Sequence, residues 1–331
     1  MDRGDGQGSR RTDVVAIRPN PLRIDIFKNN GNAFEAGVEW LGEPYDYRTQ
    51  LFRFGNAHSR DGADVIAIQQ KPLRIVTWRN SGSAFETGCE RLNEPYDYSG
   101  YLFFASDVDG DGLADIIAVQ RNPLRVVTWH NNAKAFEGGR ERLTEPYDYS
   151  GYAFFASDID GDGRADLIAI QQEPLRIVTW RNSGEAFENG CEWLAEPYDY
   201  SGYLFFASDV DGDRKADIVA VQRNPFRAVT WRNQGDMFDS GREWRNESTD
   251  YSDFLVSTGD INGDGKVDIV AIQRHPLRIV TWPNTGSEFG ASCQWFPSNG
   301  ESQAFASGLF GHPTPDPVTI LMMPASHAHS S

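Results

Sequence analysis

Residues 115–129 read DIIAVQRNPLRVVTW, and the same text returns as DLIAIQQEPLRIVTW at 166–180 and DIVAVQRNPFRAVTW at 217–231. Their leading aspartates belong to a longer series, Asp13, Asp64, Asp115, Asp166, Asp217 and Asp268, each 51 residues after the last. Self-similarity at a fixed period of this length marks a repeat architecture, in which each unit buries its apolar face against its neighbours. Within one period lie four short runs: Phe103–Ser106, Asp115–Gln120, Leu124–Trp129 and a more polar run near Glu141–Leu143. They are rich in β-branched and aromatic residues and bounded by Gly, Pro, Asn or Asp, which are strand and turn signals. No apolar stripe with helical spacing occurs. Four strands in about 50 residues, six times over, predict an all-β fold, a β-propeller of 51-residue four-stranded blades. The repeats fall at 13–63, 64–114, 115–165, 166–216, 217–267 and 268–318, with 319–331 as a tail, in one domain spanning 1–331.

A second periodicity of two repeats is superposed. The copies at Asp64 and Asp166 read AIQQ and carry Cys89 and Cys191, whereas those at Asp115 and Asp217 read AVQR and carry Arg140 and Arg242. The chain opens on the second strand of a blade, so its first blade needs a strand from elsewhere. Phe305-Ala306-Ser307 matches Phe104-Ala105-Ser106 and is expected to close the ring, which removes an exposed edge. Asp316–Ile320 then resembles the start of a further blade, so six blades are favoured over seven.

Between the first and second strands lies Asp107-Val-Asp109-Gly-Asp111-Gly-Leu113-Ala-Asp115. The spacing recurs at Asp158, Asp160, Asp162, Arg164 and Asp166, and at Asp209, Asp211, Asp213, Lys215 and Asp217. It recurs once more at Asp260, Asn262, Asp264, Lys266 and Asp268. Oxygens at positions 1, 3, 5 and 9, with the position-7 carbonyl of Leu113, Arg164, Lys215 or Lys266, converge if the loop wraps around a point. That donor set suits a hard cation, and Ca²⁺ above Mg²⁺, which demands tighter octahedral geometry. An acidic turn of this composition also forms without metal, but four copies in register point to about four Ca²⁺ sites. In the second blade Asn56, His58 and Arg60 take the first three positions, and an arginine there opposes a cation. In the fifth, Arg214 replaces the bend glycine and weakens its loop.

Loops of the form DxDGDGxxD before a short apolar strand, once per blade, resemble FG-GAP or VCBS repeats. Those repeats build the integrin α-chain propeller and several fungal and bacterial lectins, and the resemblance covers roughly residues 13–320. The turn Asn80-Ser-Gly82-Ser-Ala-Phe85 is also similar to calcium-containing fungal propeller lectins. The resemblance implies a calcium-stabilised, multivalent carbohydrate binder. A protein-interaction or adhesion scaffold is the alternative, and the propeller of a polysaccharide lyase a further one.

The remaining repeated chemistry falls on the opposite face, where turns between second and third strands meet the crossings between blades. It comprises Tyr96, Asp97 and Tyr98; Tyr147, Asp148 and Tyr149; Tyr198, Asp199 and Tyr200; and Arg121, Asn122, Arg223 and Asn224. Tyrosine offers a ring face to sugar C–H groups and a hydroxyl to hydrogen-bond, and Asp and Arg bond paired hydroxyls. The same tyrosines, and Trp78, Trp129, Trp180, Trp231 and Trp282, equally suit packing between blades. Both uses stay open at this stage.

The 331 residues carry 48 acids against 31 bases, a net charge of −17. That balance opposes a nucleic-acid partner, which needs clustered Lys and Arg. No apolar run is long enough to span a membrane as a helix, and no leader is recognisable at the start. Fifteen of the aspartates sit in the four acidic loops, so four divalent ions would offset eight of the seventeen negative charges. Calcium sites of modest affinity suit an extracellular setting. Cys89, Cys191 and Cys293 occupy equivalent positions in alternate repeats, too far apart to pair, and are expected as free thiols. Six-fold repetition argues against an enzyme, which needs one differentiated pocket.

Overall fold

The structure, a computed structural model, describes residues 11–60, 62–274, 276–295 and 319–323. They form six antiparallel four-stranded sheets, each running first to fourth strand in order, arranged as a β-propeller. No helix occurs among the described residues. The third blade is representative, with strands Leu102–Ser106, Asp115–Arg121, Leu124–Trp129 and Arg140–Glu145. The second and third strands are joined by Asn122 and cis-Pro123, and the same two-residue cis-proline turn recurs in blades one, two, four and five. The fourth strand runs two residues past the limit read from the sequence and ends on Glu145, whose side chain is then available at the blade edge.

Ring closure differs from expectation. The strand that completes the first blade is Thr319–Met323, antiparallel to Asp13–Pro19 with Asp13 opposite Met323 and Ile17 opposite Thr319. Phe305–Ser307, read as that strand, lies outside the described residues. The start of the supposed tail is thus a structural strand at the edge of the first blade's sheet.

Six apolar clusters hold the ring, each built from two neighbouring blades. Ile66, Ile68, Leu73 and Ile75 of blade two pack with Phe103, Ile116, Ala118 and Trp129 of blade three, for example. The sixth cluster joins Val14, Ala16 and Phe27 to Ile261, Val270 and Ile279 and so links the last blade to the first. The second strands are buried along almost their whole length because they are apolar on both faces and each face meets a blade. Trp78, Trp129, Trp180, Trp231 and Trp282 are fully buried. Each indole N–H donates to a glutamate of the preceding blade: Glu43, Glu94, Glu145, Glu196 and Glu247, at 2.9–3.3 Å. A buried indole without such a partner would cost about 1–3 kcal/mol, so this bond fixes the blade-to-blade spacing as well as the packing does.

Candidate functional site

On one face, the first-to-second strand loops form a ring of acidic turns. Their local form follows from aspartate chemistry. Asp107 accepts hydrogen bonds from the amides of Gly110 and Gly112, both at 2.7 Å. Asp109 accepts from Asp111, and Asp111 from Leu113. The same bonds recur from Asp158 and from Asp260. Carboxylates folding back on amides two to five residues ahead are Asx turns, and they curl the loop so that its side chains converge. Gly112 turns the chain at φ 84°, a left-handed conformation. Arg214 holds the same bend at φ 71°, and its amide still reaches Asp209 at 2.9 Å. The fifth-blade loop is therefore formed like its neighbours, at a backbone cost of about 1–2 kcal/mol.

The ninth position is different. Asp115, Asp166, Asp217 and Asp268 are buried, with one oxygen accepting the position-2 amide and the other the amide of Asn131, Asn182, Asn233 or Asn284. Each of these asparagines also bonds, through its side chain, a carbonyl in the loop of the preceding blade. The turn that opens on these asparagines, Asn-x-Gly except at Asn131-Asn132-Ala133, is thus a clamp between loops. Burial pushes the carboxyls of Asp115, Asp166 and Asp217 up to about 7 and those of Asp268 and Asp13 to about 6, against the pull of their amide bonds.

Carboxylate oxygens of Asp107, Asp109 and Asp111 lie within 4.8 Å of one another, as do those of Asp158, Asp160 and Asp166, and of Asp209, Asp211 and Asp217. All donors in these sets are oxygen, and each carboxylate oxygen keeps a lone pair beyond its amide bond. The residues fit a hard divalent cation. The second-blade loop is closed from within: His58 donates its amide to Asp64 at 2.8 Å and places Nδ1 3.1 Å from the same carboxylate. Arg60 leaves that loop and donates to the Asp111 carbonyl of the next blade.

Sequence reading did not foresee a set of cations from the neighbouring third-to-fourth strand turn. The residue after the buried tryptophan reaches the position-3 carboxylate. Arg181 lies 4.0 Å from Asp160, Arg232 lies 3.9 Å from Asp211, and His130 Nδ1 lies 3.0 Å from Asp109. The signal was present as a basic residue following Trp78, Trp129, Trp180 and Trp231, but only the fold brings that turn against the loop.

On the opposite face the repeated tyrosines divide. Tyr98, Tyr149 and Tyr200 turn inward and meet Trp129, Trp180 and Trp231 edge to face at 5.1–5.2 Å. Their rings are spent on packing, and burial raises their hydroxyl pKa values. The tyrosines two residues earlier stand clear: Tyr96, Tyr147 and Tyr198 are 60–62% exposed. Tyr45, which sequence reading left out, is their first-blade counterpart at 62%. Backbone pairing sets this alternation, since Leu124 N bonds Tyr147 O and Tyr149 N bonds Arg121 O.

The polar partners are less uniform than the repeat suggested. Asp148 and Asp199 accept the amides of Ser150 and Ser201, forming Asx turns. Asp97 is held by Lys71 at 2.6 Å, a bond that lowers its pKa. Arg121 donates to Ser150 O and so sits with Asn122 on the crossing that carries Tyr147. Arg223 and Asn224 meet instead the fifth crossing, where Thr249 replaces the exposed tyrosine and Asn224 bonds Asp250 at 2.8 Å. The third blade brings an exposed Tyr together with Asp, Arg and Asn. Arg74, Arg125 and Arg176 pair with Glu90, Glu141 and Glu192 on the fourth strands. A groove of about 410 Å³ lies on this face between blades five and six, lined by Arg223, Ser252, Asp253, Phe254, Leu255, Gln273 and Arg274.

Comparison with known proteins agrees with this geometry. Residues 107–169 and 209–271, two runs that each hold acidic loops and the strands beside them, match the family described as FG-GAP-like repeat. These two stretches carry FG-GAP-like repeats. No curated protein matches the sequence. Among solved structures, the chain is similar to an Agrocybe aegerita lectin studied for recognition of non-reducing terminal N-acetylglucosamine. The two are 16% identical, with a TM-score of 0.66, over 95% of this chain and 96% of that one. It is also similar to part of the Photorhabdus luminescens Tc holotoxin pore, at 15% identity and TM-score 0.58, over 88% of this chain and 15% of that one. A chain of the nidogen/laminin complex is 10% identical with TM-score 0.51, over 86% of this chain and 94% of that one. Identities this low establish the shared fold alone.

Proposed function

We propose that the protein is a calcium-stabilised lectin-like propeller that binds carbohydrate through the tyrosine face at several equivalent points. The observation that carries this reading is the set of four tyrosines, Tyr45, Tyr96, Tyr147 and Tyr198, equally exposed at repeat-equivalent positions. An exposed aromatic ring costs solvation and gains nothing for the fold, and four copies at nearly equal exposure form a surface suited to stacking on sugar rings. Weak sites repeated around one rigid ring gain avidity by multivalency. The groove between blades five and six has the size of a small-ligand site and both donors and acceptors for hydroxyl groups.

The same reading assigns the acidic loops a supporting role. Ca²⁺ held by Asp107, Asp109, Asp111 and Asp115, and by their counterparts in blades four to six, would neutralise buried carboxylates and pin the ring. Calcium of modest affinity suits action outside the cell. The reading is of a binder and not of a catalyst, because each blade repeats the same groups in place of one differentiated constellation.

A glycan array probed with the intact protein in calcium, followed by red-cell agglutination, tests it. Binding to a defined sugar class, lost in Tyr147→Ala without loss of fold, supports the reading. Absence of glycan binding together with capture of a protein ligand would replace it with an interaction scaffold.

A further inference from the structure

We propose that Arg181 and Arg232 are resident counter-ions that weaken cation binding at the fourth- and fifth-blade loops. The inference rests on the calcium reading above and concerns how the loops differ. Arg181 and Arg232 approach Asp160 and Asp211 at 4.0 and 3.9 Å. These carboxylates belong to the converging groups of their loops, with Asp158 and Asp166, and with Asp209 and Asp217. Neither guanidinium is loose. Each stacks over a fourth-strand indole, Arg181 on Trp193 and Arg232 on Trp244, both at 5.4 Å, and Arg181 also donates to Gly235 O at 2.5 Å.

The third blade changes both members of this arrangement. His130 takes the place of the arginine and Arg142 that of the indole. Arg142 donates to His130 Nε2, and His130 Nδ1 lies 3.0 Å from Asp109. The position-3 carboxylate of this loop thus meets an imidazole where those of the next two loops meet a guanidinium, while Arg60 donates to the Asp111 carbonyl. In the fourth blade Arg164 adds a second cation, 2.9 Å from Asp162. In the sixth blade the pair disappears together: Pro283 replaces the arginine where Asn262 replaces the position-3 aspartate, and Lys266 lies 3.9 Å from Asp264. A fixed unit charge about 4 Å from a ligand opposes a divalent ion there enough to change affinity by about tenfold.

Calorimetric titration of the metal-stripped full chain with CaCl₂ tests the proposal. Wild type is expected to show a weak class contributed by the fourth- and fifth-blade loops. The Arg181→Gln/Arg232→Gln double variant should tighten the weak class about tenfold per loop, whereas Arg181→Lys/Arg232→Lys, which keeps the charge, should titrate like wild type. A glutamine variant that titrates like wild type, while both bind calcium, overturns the counter-ion role and leaves the calcium reading standing. Uptake by neither protein overturns the calcium reading and this inference with it. Melting curves of both variants establish that the ring is intact in each.

Discussion

Removing divalent metal should make the stability of this protein fall as pH rises through the neutral range. The groups responsible are Asp115, Asp166 and Asp217, raised to about 7, and Asp268 and Asp13, raised to about 6. A carboxyl raised by burial keeps its proton when folded and loses it near 3.8 when unfolded. Its contribution is full below the unfolded value and is lost as pH climbs through the folded one. For Asp166 the displacement is about three units, roughly 4 kcal/mol at ~1.36 kcal/mol per unit. Each such group gives a slope of up to about −1.4 kcal/mol per pH unit between those limits. Several together are comparable with the whole stability of a domain, about 5–15 kcal/mol. Carboxylates whose pKa values are lowered by surface partners, such as Asp97 and Glu90, are already ionised above pH 5 and do not mask the effect. The assay is urea denaturation at pH 5, 6 and 7.5, in EDTA and in millimolar CaCl₂. Stability should decline with pH in EDTA, and calcium should remove the share of Asp115, Asp166, Asp217 and Asp268, where the ion replaces the proton, leaving that of Asp13. Asp166→Asn should flatten the EDTA slope by one group's share. A flat or rising EDTA profile, with no response to calcium, refutes the claim that these carboxylates await a counter-charge.

Other expectations concern single residues. Arg214→Gly relieves a left-handed backbone at φ 71° and should stabilise by about 1 kcal/mol in chemical denaturation. Tyr149→Ala removes a ring packed on Trp180 and should cost about 2–4 kcal/mol; Tyr147→Ala, exposed, should stay within about 0.5 kcal/mol of wild type. Glu145→Ala deprives both Trp180 and the Gly190 amide of their acceptor, and urea midpoints should register a loss of about 2–4 kcal/mol. Thiol titration of the native protein should find all of Cys89, Cys191 and Cys293 reactive, since each is free and exposed.

The blade and its strands were legible because the 51-residue period and the Trp and Asp positions repeat with little noise. The acidic loops were legible for a local reason: an Asx turn is made by residues two to five apart. What the sequence hid lies between blades. The glutamate that accepts the Trp180 indole is 35 residues earlier, and Arg181 faces Asp160 only once the two turns fold onto one surface. In Tyr147-Asp148-Tyr149 both tyrosines look alike, yet one packs and one stands free, because crossing and hairpin pair through the backbone. Residues 305–307 match the repeat, yet the strand that pairs with the first blade is Thr319–Met323, a contact across nearly the whole chain that no local pattern marks.

The central claim is that four exposed tyrosines on one face bind carbohydrate together. It is tested most directly by binding to surfaces coated at increasing density with the sugar selected on the array. Wild type is compared with variants in which Tyr45, Tyr96, Tyr147 and Tyr198 are changed to alanine one at a time and then cumulatively. The account predicts unchanged melting temperatures, an affinity that rises with density for wild type by a factor of about 10²–10⁴, and stepwise loss of that gain with each substitution. Density-dependent binding that survives all four substitutions would contradict it.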